Sequence, residues 1–347
     1  MAIIIKDKHI QDMKSTGESI EQILAKDYES EIADRVAKDD RLKGFDAFNL
    51  AMMDAGISKS SVVKDFYATS DNHWLFPVFI DRTLKENVLK NDVLKYIVSG
   101  SPVSVSSTTV DSAYLELENF DPVKKKRVSE GADLPKAVLK VGDSSIRLYK
   151  YGRAIEATYE SVRNQSVDLF ARHLSYIAND VANQEFEKGL DVLINGDGNN
   201  NAAEVNTTAG TAIAAADIIN LALDIWDKTH SSLTTIIAPR TLFIALNGMV
   251  VNTSESSGYL PAAMFNFPQG ITKDVTVVYG NVPKSGSAEQ LIGLNNDFAL
   301  TKYIEQGSAI TEYDRNILNQ TNLGTISETS GFAKNYKYAS RLLKVKS

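Results

Sequence analysis

Residues 130–160 read EGADLPKAVLKVGDSSIRLYKYGRAIEATYE. Apolar and polar residues alternate over Val138–Lys140 and again at Ile146, Leu148 and Lys150, with Gly142-Asp143 as a turn signal between them. The pattern predicts a ribbon that runs out, turns and comes back. A hairpin with so little apolar weight is not stable alone in water. Something else must cover it.

The stretch that follows, TYESVRNQSVDLFARHLSYIANDVANQEFEKGLDVLIN, carries the strongest periodicity in the chain. Val162, Leu169, Phe170, Leu174, Ile177, Val181, Phe186, Leu190 and Leu193 recur at helical spacing with no proline between them. One helix is expected from Thr158 to Leu193, about 54 Å long at the usual rise per residue. NGDGNNN ends it. Before the ribbon, VSVSSTTVDSAYLELENF from Val103 to Phe120 is β-branched and alternating, as strands are.

Toward the N-terminus, residues 16–43 are charge-rich, with Ile20, Leu24, Tyr28, Ile32 and Val36 spaced by four. That is a narrow apolar stripe on a polar helix, expected to lie on a partner surface. FDAFNLAMMDAG follows as a short helix stopped by Gly56. The first 60 to 90 residues therefore read as an arm rather than a domain. Beyond residue 210 the texture is mixed: AADIINLALDIWDK is an amphipathic helix, and LTTIIAPRTLFIALNG a strand, a turn and a helix stopped by Gly248. DVTVVYGNVP, QLIGLNNDFALTKY, SAITEYDRNI and FAKNYKYASRLLKV are strand candidates.

The 347 residues are 43% hydrophobic and 23% charged, enough for a sizeable core under an ordinary surface. A net charge of -7 argues against a protein whose main task is gripping phosphate backbones. With no cysteine, disulfides, thiolate nucleophiles and Cys-ligated metals are excluded. No apolar run approaches a membrane span or a signal-peptide core.

Chemistry-bearing motifs are weak. His9, His73, His173 and His230 are far apart, without paired spacing, so no metal or cofactor is expected. Asp197, Asn199 and Asn201 match the first ligand positions of a calcium loop, but Ala202 stands where glycine is needed and Thr208 where glutamate is needed. That stretch reads as a turn. Ser61–Lys64 and Ser70–Asn72 echo two elements of serine β-lactamases, but nearly adjacent and without the third. There is no phosphate-binding glycine loop and no nucleophile elbow. Lys124, Lys125, Lys126 and Arg127 form a basic run, readable as a solvated tip or as an electrostatic contact with a neighbour.

The order of these pieces resembles the major capsid proteins of tailed bacteriophages with the Hong Kong 97-type fold. The residues that carry it are EGADLPKAVLKVGDSSIRLYKYGRAIEATYESV, similar to the family's E-loop return strand running into its spine helix. LINGDG, IIAPRTLFIAL, GYLP, VVYGNVP, LIGLNNDFAL and FAKNYKYASRLLKV then follow in the expected order, over roughly residues 90–347. The resemblance implies an α+β fold with an N-terminal arm (1–90), the start of a peripheral domain (91–114) and an E-loop (115–153). It implies further peripheral domain with the spine helix (154–208), an axial α/β domain (209–328) and a C-terminal peripheral strand (329–347).

The resemblance also implies a non-enzymatic shell protein that forms hexamers and pentamers around double-stranded DNA, assembled in the host bacterial cytoplasm and carried in the virion. Lys124, Lys125, Lys126, Arg127 and Glu130 in the E-loop would contact the next subunit. The leader is too short for a long coiled-coil scaffold, so the resemblance implies a separate scaffolding protein, or none, with a portal protein, decoration proteins and DNA held without sequence-specific binding as further partners. An encapsulin-type nanocompartment shell shares the fold. A cytosolic two-domain hydrolase is the reading of another class, and the lack of any convergent site motif weighs against it.

Overall fold

The computed structural model describes residues 3–16, 18–67, 74–90, 93–111, 113–117, 137–141, 144–158, 165–251, 272–308, 310–316 and 321–346. The chain divides into two compact units, one of Met1–Asp92, Tyr149–Ala182 and Glu305–Thr329, the other of Val93–Leu148, Asn183–Ile304 and Ser330–Ser347.

In the first unit the helices are α1 (Asp7–Thr16), α2 (Ile20–Asp27), α3 (Glu29–Lys38), α4 (Ala47–Asp54), α5 (Leu75–Lys90) and the first half of α6 (Val167–Asn195). The helix expected over 16–43 is broken. Tyr28 leaves helical geometry (φ -120°, ψ 26°) between α2 and α3, and its hydroxyl donates to the Ile4 carbonyl at 3.1 Å. Ser19 and Gln22 close a reciprocal capping box at the start of α2. Gly56, at φ +72°, follows α4 as its glycine stop.

Residues of the stretch expected as an arm contribute to a core. Ile3, Ile5, Leu24, Phe48, Leu50, Phe66 and Phe76 pack one cluster with Val167, Phe170, Leu174 and Ala178 of α6. Phe76 stacks on Phe170 with centroids 5.4 Å apart. Local amphipathicity showed a stripe on each helix, but not that the stripes face one another.

Helix α6 begins at Val167, not Thr158, because Thr158 closes strand β6 (Tyr149–Thr158). Ser166 accepts the Leu169 N–H at 3.3 Å as a cap, and the residues before α6 pair with the Ser61–Val63 segment. Val162 lies outside the described residues. Leu169, counted in the stripe, is 45% exposed; Ala178 and Ala182 lie on the buried face instead. Strands β12 (Ile310–Asn316) and β13 (Thr321–Lys334) pair antiparallel from Ile310↔Ser327 to Asn316↔Thr321, and β6 also pairs β13.

In the second unit β7 (Glu204–Thr207), β8 (Leu233–Ala238), β9 (Thr272–Tyr279), β10 (Gln290–Leu294) and β14 (Ser340–Lys344) form a sheet ordered β7-β14-β10-β8-β9. The alternation of a strand sends neighbours to opposite faces. Ile237, Ile292 and Leu342 pack with Phe186, Leu190 and Leu193 from the second half of α6. Ile236, Leu291 and Leu343 pack on the other side with Ile218, Leu221 and Ile225 of α7 (Ala215–Thr229) and Leu242 and Leu246 of α8 (Arg240–Val251). The result is helix, sheet, helix. Gly293 permits the approach of α7, since a Cβ there would lie 2.7 Å from Leu221 Cδ2.

Strand β14 inserts between β7 and β10, a central place suited to Leu342 and Leu343 burying on both faces. One expectation fails here: helix α8 is not stopped by Gly248 but runs through it to Val251. QLIGLNNDFALTKY also supplies two strands to different sheets: β10 here, and β11 (Leu300–Glu305), which pairs β1 (Val103–Val105) and residues Ser330–Lys334 of β13.

Candidate subunit-contact ribbon and its anchor

The ribbon exists, with a different partner strand. Strand β4 (Ala137–Val141) pairs antiparallel with β3 (Ala113–Leu117), in register from Ala113↔Val141 to Leu117↔Ala137. The chain thus runs out along β3 and returns along β4. Gly142-Asp143, the expected turn, lies outside the described residues, and the two stretches that flank it do not pair with each other: Ile146–Arg147 pairs with Thr109–Val110. Lys124, Lys125, Lys126, Arg127 and Glu130 fall between the two limbs, outside the described residues. Among the described residues β3 and β4 pair with no third strand. Among those residues each strand has an outer edge of backbone donors and acceptors that no other strand pairs.

The base of the ribbon is better anchored. Strand β5 (Ile146–Arg147) pairs with β2 (Thr109–Val110), and the Leu148 N–H donates to the Thr108 carbonyl at 2.8 Å. Ile146 and Leu148 are buried. Leu148 seats directly on the backbone of β13, where a Cβ on Gly331 would fall 2.6 Å from Leu148 Cδ2. Only glycine leaves that space. Gly331→Val should therefore lower the unfolding free energy by about 1–3 kcal/mol by overpacking. Hydrogen exchange should quicken at Thr108–Val110 and Ile146–Leu148; unchanged protection there would show that the base does not rest on Gly331.

The DGNNN turn supplies a second anchor. Asn199 accepts the Ser144 N–H at 2.8 Å and donates to the Ser144 carbonyl at 3.1 Å, holding the residue two positions before β5 at both its backbone polar groups. Asp197 Oδ2 accepts the Lys334 backbone N–H at 2.9 Å, and Asn201 Oδ1 accepts the Asp197 N–H at 3.1 Å. The three side chains of the calcium-loop coincidence thus spend their polar groups on the chain itself. Asn199→Ala should cost about 1–3 kcal/mol by leaving the backbone of Ser144 without these partners, read as a shift in the denaturation midpoint. No shift would mean that water replaces them freely.

In the first unit β6 offers a second open surface. Tyr149, Lys150, Arg153, Ala154, Glu156 and Thr158 are all exposed, so both faces of this strand carry residues in water. Arg153 is paired with Asp180 of α6. On α6 itself Leu169 and Tyr176, at i and i+7, are exposed, Tyr176 to 76%.

The remaining candidates resolve into local roles. His9 is buried and meets Asp27 at 3.1 Å, His173 is exposed, and His230 ends α7 in the left-handed region at φ +51°. Among the described residues no group of histidines and carboxylates is placed to hold a metal ion, and no helix is long and apolar enough to cross a membrane. The sequence reading missed Gly331 and Lys334. A buried lysine leaves no local signature, and Gly331 had meaning only once Leu148 was opposite it.

Comparison with known proteins bears on this arrangement. A family model described as phage capsid protein matches residues 142–323, more than half of the chain. A search of curated proteins finds no match. A phage-related protein from Bordetella bronchiseptica RB50 superposes with a TM-score of 0.51 at 12% identity, over 76% of this chain and 96% of that one. The capsid of a native GTA particle superposes with a TM-score of 0.50 at 14% identity, over 74% of this chain and 91% of that one. At such identities the likeness is one of fold, and the fold is the α+β, Hong Kong 97-like capsid fold.

Proposed function

We propose, on the premise that the chain belongs to the phage capsid protein family, that it is the major capsid protein of a tailed phage. Copies of it form the hexamers and pentamers of an icosahedral shell around double-stranded DNA. Its role is structural. Assembly takes place in the host cytoplasm with a separate scaffolding protein and a portal, and the finished shell, which decoration proteins can bind, is part of the virion. The observation that supports this reading is the two-stranded β3–β4 ribbon, which has no covering strand among the described residues. A two-stranded ribbon is marginal in water, and a neighbouring copy supplies the missing cover. A net charge of -7 suits an inner wall that must not grip DNA phosphates.

Contacts made by the tip, including Lys124, Lys125, Lys126, Arg127 and Glu130, are each worth about 0–1 kcal/mol if exposed, but a shell repeats them at every interface. Replacing Lys124–Arg127 by serine should leave circular dichroism native-like while shells fail or become salt-sensitive in sedimentation. Normal shells over the same salt range would make the run a solvated tip. An unfolded variant would place the ribbon in the subunit's own core.

A further inference from the structure

Lys334 ends β13 within the second unit and is 1% exposed. Its Nζ donates to the Leu193 carbonyl at 3.1 Å. The last turn of α6 needs that donor. The Val192 carbonyl takes the Gly196 N–H at 2.8 Å, and the Ile194 carbonyl takes the Ala203 N–H at 3.0 Å. The N–H in line for Leu193 belongs to Asp197, and it turns instead to Asn201 Oδ1. Lys334 fills the vacancy.

The same turn holds the ribbon base through Asn199 and Ser144. Lys334 is therefore where the end of α6, the end of β13 and the root of the ribbon meet. The charged groups facing it are Asp197 on the turn, Glu204 on β7 and Lys337 in the short turn after β13. Asp197 gives its oxygens to the backbone N–H of Lys334 and to Asn199, and Glu204 pairs with Arg341. Among the described residues no carboxylate lies within ion-pair distance of Nζ.

We propose that Lys334 is a proton-operated latch. As a neutral amine it closes the end of α6 against β13 and the ribbon base; protonation buries a charge there and loosens the joint. Burial pushes its pKa down from 10.5 to about 7, with Asp197 and Glu204 opposing and Lys337 assisting. Between about 7 and 10.5 the unfolded chain holds a proton that the fold does not. Stability from this site therefore rises with pH through that window and is lowest below about 7. Mild acidification would free the ribbon root without discharging the carboxylates.

The test is a titration of the full-length chain carrying 13C-labelled lysine, from well below to well above neutrality. One lysine Cε resonance should titrate near pH 7 and be absent from Lys334→Met. Hydrogen exchange at Ser144–Leu148 and Gly196–Asn201, corrected for its intrinsic pH dependence, should be about tenfold or more faster on the acid side. In Lys334→Met it should be independent of pH. Absence of a near-neutral lysine in the unaltered chain, or exchange there that ignores pH, overturns the proposal even if the variant does not fold. Persistence of the pH dependence in a folded Lys334→Met overturns it too. Neither readout requires shells to form.

Discussion

Truncating Phe186 to alanine is expected to lower the unfolding free energy by about 3–5 kcal/mol. Phe186 is 4% exposed in the cluster with Leu190, Ile237, Val278 and Ile292. Its ring also packs on the backbone of Gly280, where a Cβ would come within 3.1 Å of Phe186 Cε1. The sheet on one side and the helix on the other are rigid elements that do not collapse into the void, so both the transfer and the cavity penalties are felt. Leu174→Ala, 1% exposed and on the same helix but in the cluster of Phe48, Phe66 and Phe76, is expected to cost about 2–5 kcal/mol. Chemical denaturation of both variants checks this. Unchanged midpoints would mean that the buried face of α6 is not a core at all.

The second large effect concerns charge. Lys302 of β11 places its Nζ 3.1 and 3.0 Å from the two carboxylate oxygens of Glu185 on α6, with the side chains 10% and 13% exposed. Removing one partner of such a pair leaves a poorly hydrated charge, and Glu185→Leu is expected to cost about 3–5 kcal/mol. The double variant Glu185→Leu, Lys302→Met should recover most of that loss, because two apolar chains of similar size need no hydration. The contrast is the informative part. If the single variant loses less than about 1 kcal/mol, the pair behaves as an exposed one and water reaches it.

What was legible in the sequence was the local part. The periodicity of α6 from Phe170 to Leu193, the strand and helix of LTTIIAPRTLFIAL, and the amphipathic α7 all follow from residue spacing alone. Pairing was not legible. Val138–Lys140 looked like one limb of a tight hairpin because Gly142-Asp143 is a good turn signal, yet its partner is Ala113–Leu117, on the far side of a long insertion. A turn signal says where the chain can bend, not which strands meet. The start of α6 was misplaced because nothing in TYESVRNQ forbids a helix; its boundary comes from pairing with Ser61–Val63. The N-terminal core escaped for the same reason, since it needs helices from 7 to 90 to meet residues 167–178. Of the candidate site, the DGNNN turn was recognised as a turn, but its bonds to Ser144 and Lys334 are long-range and became visible only in the fold.

Electron microscopy of the purified full-length protein, alone and co-expressed with a scaffolding protein, decides whether copies of it close into a shell. Closed icosahedral shells of uniform diameter are expected, with the ribbon of each subunit lying against the next copy. Soluble monomers or small oligomers under both conditions, with the ribbon covered by its own subunit, would contradict that expectation.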